Sequence, residues 1–305
     1  MTTSARWFMD VAERILAGIG ARTTPALNQF VEDNGLGDGL DIQFIQVAYG
    51  FAPEPIVPEH LIKRTPYANP DAYRTEMEQA AERGWLDVAG EDRYRLTLKG
   101  QRAARALFDL GDRVFGQLEA LPEADLKRIT ALLAKVARKA QDLPEPPKKW
   151  ALSWGAKFDR GPDAPAMVQV RRKLLDLLSY RDDAHITAWL PYGAGGQVWE
   201  AFTYVWRGDA GTAADLVEKL PYRHYDEDAY AAALHELVSR GWSVQQGEIY
   251  VATEEGNRLR QEAEDATDRY FDAAWTGLSE AQTEELKGLL ERLAEALEPP
   301  EEGPV

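Results

Sequence analysis

Two segments of the 305-residue chain resemble each other in register. The first, NPDAYRTEMEQAAERGWLDV, covers residues 69–88, and the second, DEDAYAAALHELVSRGWSVQ, covers residues 226–245. Each has Asp-Ala-Tyr near its start and Arg-Gly-Trp near its end, at the same spacing. A chain that carries one segment twice must accommodate two similar local structures, and this is the strongest constraint on its fold.

The similarity extends over most of both halves when the chain is shifted on itself by 155 to 157 residues. For example, HLIKRTPY at 60–67 aligns with DLVEKLPY at 215–222. Matches in register over several elements indicate duplication followed by divergence. We therefore predict four parts. They are a first repeat at 1–140, a Pro- and Gly-rich linker at 141–166, a second repeat at 167–297 and an acidic tail at 298–305.

Turn and cap residues predict the order of elements within a repeat. Asn69 followed by Pro70 is typical of a helix start, and Gly84 is typical of a left-handed residue after a helix end. Two short strands separated by Gly-Glu-Asp and two long helices follow. The predicted helices and strands cover 58–64, 70–83, 85–88, 93–98, about 99–118 and about 123–140.

This order is similar to that of a winged helix with the C-terminal helices of MarR-type proteins. The motifs that carry the resemblance in the first repeat are AERGWL, YRLTLKGQ and LPEADLKRITALLAKV. The second repeat has the weaker counterparts SRGW, YVATEEGN and LSEAQTEELKGLLERL. In its duplicated form the chain also resembles the actinobacterial helix-turn-helix proteins grouped with SalK.

The resemblance implies a mainly α fold with small β-wings, in which two tandem winged-helix domains carry long C-terminal helices. MarR-like proteins are homodimers whose first and last helices intertwine. Two copies in one chain therefore imply an intramolecular pseudo-dimer, as a monomer or as a homodimer of the chain. Such proteins regulate transcription by binding DNA.

The charges of the predicted recognition helices argue against base reading. Residues 70–83 hold four acidic and two basic side chains, and residues 226–240 hold four acidic and one basic. A helix that enters the major groove needs basic or amide side chains on its exposed face. The net charge of −16 also falls mostly on the second half, because residues 1–150 hold 20 basic against 22 acidic side chains.

The wing of the first repeat is basic, and we predict that it contacts DNA phosphates. The basic cluster consists of Arg93, Arg95, Lys99, Arg102 and Arg105. Four of the five positions that align with them in the second repeat lack a positive charge. The alternative is that these side chains pair with Glu91, Asp92 and Asp109 on a solvated face. The predicted DNA-binding residues are Arg74, Arg93, Arg95, Lys99 and Arg102.

A second basic run lies between residues 127 and 149, in the last helix of the first repeat and in the linker. It either attracts DNA or docks on the acidic second half, and we favour docking.

Aromatic residues at aligned positions suggest a pocket between the winged helix and the long helices. MarR-like proteins bind planar ligands there, so the resemblance implies a small aromatic ligand. The alternative is ordinary hydrophobic core, which shared packing in a repeat also predicts. The candidate pocket residues are Tyr49, Tyr67, Trp85, Tyr204, Tyr222 and Trp242.

Several other functions have no support in the sequence. The four histidines lack zinc-ligand spacing, there is no cysteine, and no catalytic motif or cofactor-binding loop is present. We find no signal peptide or membrane span, so we expect a cytoplasmic location. We thus predict a non-enzymatic, transcription-regulator-like protein. The competing hypothesis is a module of the same fold that has lost DNA affinity and binds a protein partner or a small aromatic molecule.

Overall fold

The computed structural model describes residues 6–36 and 39–298, and these are mainly helical with two small antiparallel sheets. This confirms the prediction of a mainly α fold. Residues 299–305 of the predicted acidic tail lie outside the described residues. The strands are β1 (Leu86–Gly90), β2 (Arg93–Leu96), β3 (Ser243–Gln246) and β4 (Ile249–Ala252). The α-helices are α1 (Arg6–Asp33), α2 (Gly39–Phe51), α3 (Pro58–Arg64), α4 (Pro70–Glu82), α5 (Leu98–Gly116), α6 (Glu123–Asp142), α7 (Trp150–Gly155), α8 (Ala166–Trp189), α9 (Gly196–Arg207), α10 (Ala213–Lys219), α11 (Glu227–Ser239), α12 (Glu254–Trp275) and α13 (Glu280–Leu297).

The predicted caps of α4 are confirmed. The Asn69 side chain accepts a hydrogen bond of 3.0 Å from the backbone N–H of Asp71, and the helix begins at Pro70. Gly84 follows the helix with a φ of 76°, a conformation that glycine adopts without strain. In the second half Asp226 caps α11 by accepting from the N–H of Ala229 at 2.8 Å.

The two halves follow the same order of elements. A long helix, a second helix, a short helix and a third helix precede a hairpin, and two long helices follow it. In both halves a residue before the short helix accepts a backbone hydrogen bond from the second strand of the hairpin. The N–H of Tyr94 donates to the carbonyl of Ile56 at 2.9 Å, and the N–H of Tyr250 donates to that of Gly211 at 2.8 Å.

The glycine of each Thr-x-x-Gly motif permits the close approach of a long helix to the hairpin. A Cβ atom on Gly100 would lie 2.3 Å from the carbonyl oxygen of Trp85. A Cβ atom on Gly256 would lie 2.0 Å from that of Trp242. Any other residue would displace the helix from the strand, so the motif has the same packing role in both halves.

The largest core lies between the halves. The first helix of each half packs on the last helix of the other, so that α1 contacts α13 and α8 contacts α6. Side chains from both halves are fully buried there, including Phe8 and Ile15 from α1 and Leu290 and Leu293 from α13. Each half also has a smaller core of its own beneath its hairpin.

The predicted linker is partly helical. Residues 150–155 form α7, because the buried carboxylate of Asp183 on α8 accepts hydrogen bonds from the N–H groups of Ala151 and Leu152 at 2.8 and 2.9 Å. The Trp154 ring meets Phe158 edge to face, with centroids 5.3 Å apart. This segment therefore packs against the helices on either side of it.

Candidate functional site

The hairpin and the start of α5 present a basic strip, which we define as Arg93, Arg95, Lys99, Arg102 and Arg105. All five residues are exposed. Alternation along β2 buries Tyr94 and Leu96 and turns Arg93 and Arg95 to solvent.

The four arginines of the basic strip are unpaired. None of them forms an ion pair or a side-chain hydrogen bond with the residues that the structure describes. The alternative pairing with Asp92 and Asp109 is not seen among the described residues, because Asp92 contacts Arg74 at 3.2 Å and Asp109 contacts Arg160 at 3.3 Å. The strip is therefore available for an anionic partner such as a phosphate backbone.

Lys99 differs from the arginines because it has contacts within the protein. Its Nζ atom lies 3.6 Å from the centroid of the Trp85 ring and donates a hydrogen bond of 3.0 Å to the carbonyl of Arg83. A cation over an indole face is attracted by the ring. Lys99 thus stabilises the junction of hairpin and helix as well as contributing charge.

Arg74 on α4 is held by two carboxylates. Its guanidinium contacts Asp71 at 2.5 Å and Asp92 at 3.2 Å. The other exposed residues on this face of α4 include Glu78 and Glu82. An acidic helix face is repelled by the phosphates that border the major groove of DNA. The predicted contact of Arg74 with DNA would also require both of its ion pairs to break.

The corresponding face of α11 is less acidic than that of α4. Asp228 is exposed at the start of the helix, and Ala232, His235 and Ser239 continue the same face. The carboxylate of Glu236 is bound to Arg240 at 2.7 Å. Beyond its first turn, the one acidic side chain of α11 is therefore paired with a cation.

The turns that precede α4 and α11 lie against each other; we refer to residues 67–69 and 223–225 as the turn contact. The backbone N–H of Asn69 donates to the carbonyl of Arg223 at 3.0 Å, and its side-chain amide donates to that of His224 at 2.9 Å. The hydroxyl of Tyr225 donates to the carbonyl of Ala68 at 3.2 Å.

This contact limits the distance between the two helix starts. Asp226 lies three residues beyond Arg223, so the N-caps of α4 and α11 are separated by at most roughly 18 Å. Helix-turn-helix dimers that read two half-sites place their recognition helices about 34 Å apart. In this arrangement the first turns of both helices cannot enter successive major grooves.

The structure does not gather the six predicted pocket residues into one site. Trp85 and Trp242 are core residues of separate halves, and Tyr222 is 56% exposed. Tyr49 packs on Phe108 at 5.2 Å between ring centroids. Tyr67 and Tyr204 lie together in the wall of a cavity that charged residues dominate, and Tyr222 contacts Tyr204 from its exposed position.

That cavity, which we call the polar cavity, has a volume of about 350 Å³ and lies between α1, α8, α9 and α12. Burial lowers the pKa of His185 to about 4, so this side chain is neutral at physiological pH, and burial raises the pKa of Tyr67. Sequence reasoning named only Tyr67 and Tyr204 of its walls and missed the charged residues. Its walls are Met9, Tyr67, Arg181, Asp182, His185, Trp199, Glu200, Thr203, Tyr204, Arg207, Arg260 and Glu264.

A second cavity, the aromatic cavity, has a volume of about 380 Å³ and lies between α2, α5, α7 and α8. Phe108, Phe115 and Phe158 form much of its wall. The guanidinium of Arg171 lies 4.3 Å from the centroid of the Phe115 ring, and burial lowers the pKa of Arg171 to about 10.

The second half of the chain is similar to a known protein family. Residues 177–301 match the model of a helix-turn-helix family, which supports a helix-turn-helix domain in the second half of the chain. No curated protein and no solved structure matches the chain. In the described part of the chain, no helix is long and apolar enough to cross a membrane, and no group of three potential ligands is placed to hold a metal ion.

Proposed function

We propose that the chain is two MarR-like winged helices, at 1–140 and 167–297, arranged as a pseudo-dimer. The repeated element order and the pairing of Tyr94 and Tyr250 with equivalent segments support this proposal. The reciprocal packing of α1 on α13 and of α8 on α6 is the arrangement expected when two copies exchange their terminal helices.

We further propose a DNA-binding transcription regulator that acts in the cytoplasm and contacts phosphates through the basic strip of the first half. The observation that carries this proposal is the set of four exposed arginines on the hairpin and α5 that have no ion-pair partner among the described residues. The helix-turn-helix match in the second half supports it. Unpaired guanidinium groups bind phosphate without first losing an internal partner, so the strip is the part of this acidic chain best suited to DNA.

The test is binding to a random-sequence duplex, because phosphate contacts do not depend on base identity. We expect fluorescence anisotropy to show binding at about 50 mM salt that weakens roughly hundredfold at about 200 mM salt. The double variant Arg93→Glu, Arg95→Glu should lose binding at both concentrations.

The matched control is the double variant Arg138→Glu, Lys148→Glu, which makes the same change of charge in the second basic run. Both residues are exposed. This control should bind like the unmodified protein. If it loses binding while the strip variant retains it, the interface lies on the second basic run and the proposal is wrong.

The second candidate function is a winged-helix module that binds a protein or a small aromatic molecule in place of DNA. The turn contact favours this candidate, because the N-terminal ends of the two predicted recognition helices, α4 and α11, lie side by side there. The acidic face of α4 favours it as well. Absence of binding to any duplex at about 50 mM salt would select this candidate over the regulator.

A further inference from the structure

We propose that the second hairpin, formed by β3 and β4, is an association surface for a second copy of this chain. The β3 strands of two copies pair in antiparallel orientation about a twofold axis and join the two hairpins into one four-stranded sheet. This surface is distinct from the basic strip and does not depend on DNA binding. Its test contains no DNA, so the two proposals succeed or fail separately.

The outer edge of β3 has backbone groups that are free to pair. In the described part of the chain β3 pairs with β4 and with no other strand. Hydrogen-bonded and non-hydrogen-bonded pairs alternate along an antiparallel ladder. The N–H of Tyr250 points away from β3 towards the carbonyl of Gly211, so Tyr250 and its partner Gln245 form a non-hydrogen-bonded pair. The N–H and C=O groups of Gln245 therefore point to the open edge.

β3 also lacks the features that protect an edge strand. Proteins commonly prevent strand pairing at an edge with a charge, a proline or a bulge. In the first hairpin, β1 carries the charge of Asp87 and has a register shift between Val88 and Gly90. The sequence of β3, Ser-Val-Gln-Gln, has neither charge nor proline, and its pairing with β4 is regular. The edge of the second hairpin is therefore open to another strand, whereas that of the first is protected.

The outward face of the second hairpin is mostly apolar. Val244 lies opposite Val251 and Gln246 lies opposite Ile249 on this face, whereas the buried Tyr250 marks the inner face. Val244 is 42% exposed and Ile249 is 47% exposed. The aligned positions in the first hairpin are charged and exposed; they are Asp87, Arg93 and Arg95. Exposed β-branched residues in place of charges are typical of a surface that another protein covers.

Symmetry favours a second copy as the occupant of this surface. A twofold interface requires a surface that is complementary to itself. β3 is uncharged, so two copies pair along it without like charges opposite each other, although the second half of the chain is acidic. The twofold axis passes through Gln245, because the backbone groups of this residue point outward.

Charge complementarity at the ends of the pairing favours the same occupant. With Gln245 opposite itself, the turn of one hairpin lies beside the start of β3 in the other, so that Glu248 faces Trp242. Glu248 is exposed and forms no ion pair with the described residues. The guanidinium of Arg240 lies 5.0 Å from the centroid of the Trp242 ring. A carboxylate of one copy therefore meets a cation of the other at both ends.

Sedimentation equilibrium of the full chain at about 150 mM salt measures this association. Each β3 contributes four residues, so the interface is small and we expect a Kd on the order of 100 μM. Between about 5 and about 500 μM the unmodified protein should pass from mostly monomer to mostly dimer.

A proline substitution tests the strand edge. Gln245→Pro removes an N–H group that the hairpin itself does not use, so it should weaken association at least about tenfold. Val88→Pro is the matched control, because Val88 pairs with Tyr94, whose N–H likewise points away to Ile56. This control should associate like the unmodified protein.

Two charged variants test the twofold axis. Gln245→Glu and Gln245→Lys each place like charges opposite each other, so each alone should associate at least about threefold more weakly. An equimolar mixture of the two places a carboxylate opposite an ammonium group and should restore association. Gln245 is exposed, so these variants remain informative even if Gln245→Pro fails to fold. Circular dichroism establishes the folded state of each variant before sedimentation.

Each of four results would overturn the proposal. The first is a chain that stays monomeric up to about 500 μM. The second is association that the variants at Gln245 leave unchanged, which places the interface elsewhere. The third is an equal loss in Val88→Pro. The fourth is a mixture of the charged variants that associates no better than its components, which excludes pairing of β3 with itself.

Discussion

The backbone N–H of Asn69 donates a hydrogen bond of 3.0 Å to the carbonyl oxygen of Arg223, and thereby joins the turn before α4 to the turn before α11. The side chain of Asn69 caps its own helix through Asp71 and also donates to the carbonyl of His224. One residue therefore stabilises both a local helix start and the interface between the halves.

Asn69→Ala should destabilise the protein more than loss of a cap alone. The cap is worth about 1 kcal/mol, and the hydrogen bond to His224 adds about 1 kcal/mol. Asp226→Ala is the control, because Asp226 caps α11 through Ala229 and its side chain forms no hydrogen bond with the described residues of the first half. Urea denaturation should give a loss of about 2 kcal/mol for Asn69→Ala and about 1 kcal/mol for Asp226→Ala; equal losses would contradict a role at the interface.

Gly196, at the start of α9, packs closely on the turn at Pro66 in the other half. A Cβ atom there would lie 1.9 Å from the carbonyl oxygen of Pro66, so Gly196→Ala must displace α9 from that turn. We expect a loss of about 2 kcal/mol or more in the free energy of unfolding. Gly288→Ala, at an exposed helical position with no atom within 4 Å of the added Cβ, should stabilise by roughly 0.5 kcal/mol. A tolerated Gly196→Ala would mean that the turns are farther apart in solution.

Local features were predictable because they depend on neighbouring residues. The cap at Asn69, the left-handed Gly84 and the exposed positions of Arg93 and Arg95 each follow from a few residues of sequence. The pairing of Asp92 with Arg74 was missed, because it depends on how the hairpin lies beside α4.

The polar cavity could not be predicted, because its walls come from helices far apart in the chain. Met9, His185 and Arg260 meet only after the first helix of one half has packed on the other half. One signal was present in the aligned repeats. The change from Ala104 to Arg260 places a charge where the first half has a buried apolar residue.

Lys99 and Arg102 should respond differently to loss of charge although both belong to the basic strip. Lys99→Gln removes the contact with Trp85, so the free energy of unfolding should fall by about 1 kcal/mol. Arg102→Gln should change it by less than about 0.5 kcal/mol, because Arg102 has no partner within the described residues.

DNA binding by Lys99→Gln and Arg102→Gln distinguishes the effect of lost charge from the effect of lost stability. Arg102→Gln should lower the slope of log affinity against log salt by about 1. Thermal melts and anisotropy titrations of both variants provide the measurements. An unchanged slope for Arg102→Gln would remove this residue from the interface, and an unchanged stability for Lys99→Gln would show that its contact with Trp85 contributes nothing.

Acidification should destabilise the protein through His185. Burial lowers its pKa to about 4, whereas an unfolded histidine titrates near about 6.5. Between these values the unfolded chain binds a proton that the folded chain excludes, so stability falls as the pH decreases from about 6.5 to about 4. The full loss is up to about 3 kcal/mol.

Urea denaturation at about pH 7 and about pH 4.5 should therefore show about 2 kcal/mol more acid destabilisation in the unmodified protein than in His185→Gln. Burial raises the pKa of Asp183 to about 6, which acts in the opposite direction, but this contribution is common to both proteins and cancels in the comparison. His235→Gln, at an exposed position on α11, is the control and should keep the pH dependence of the unmodified protein. If His185→Gln keeps it too, His185 is protonated in the folded state and the polar cavity is more positive than its burial implies.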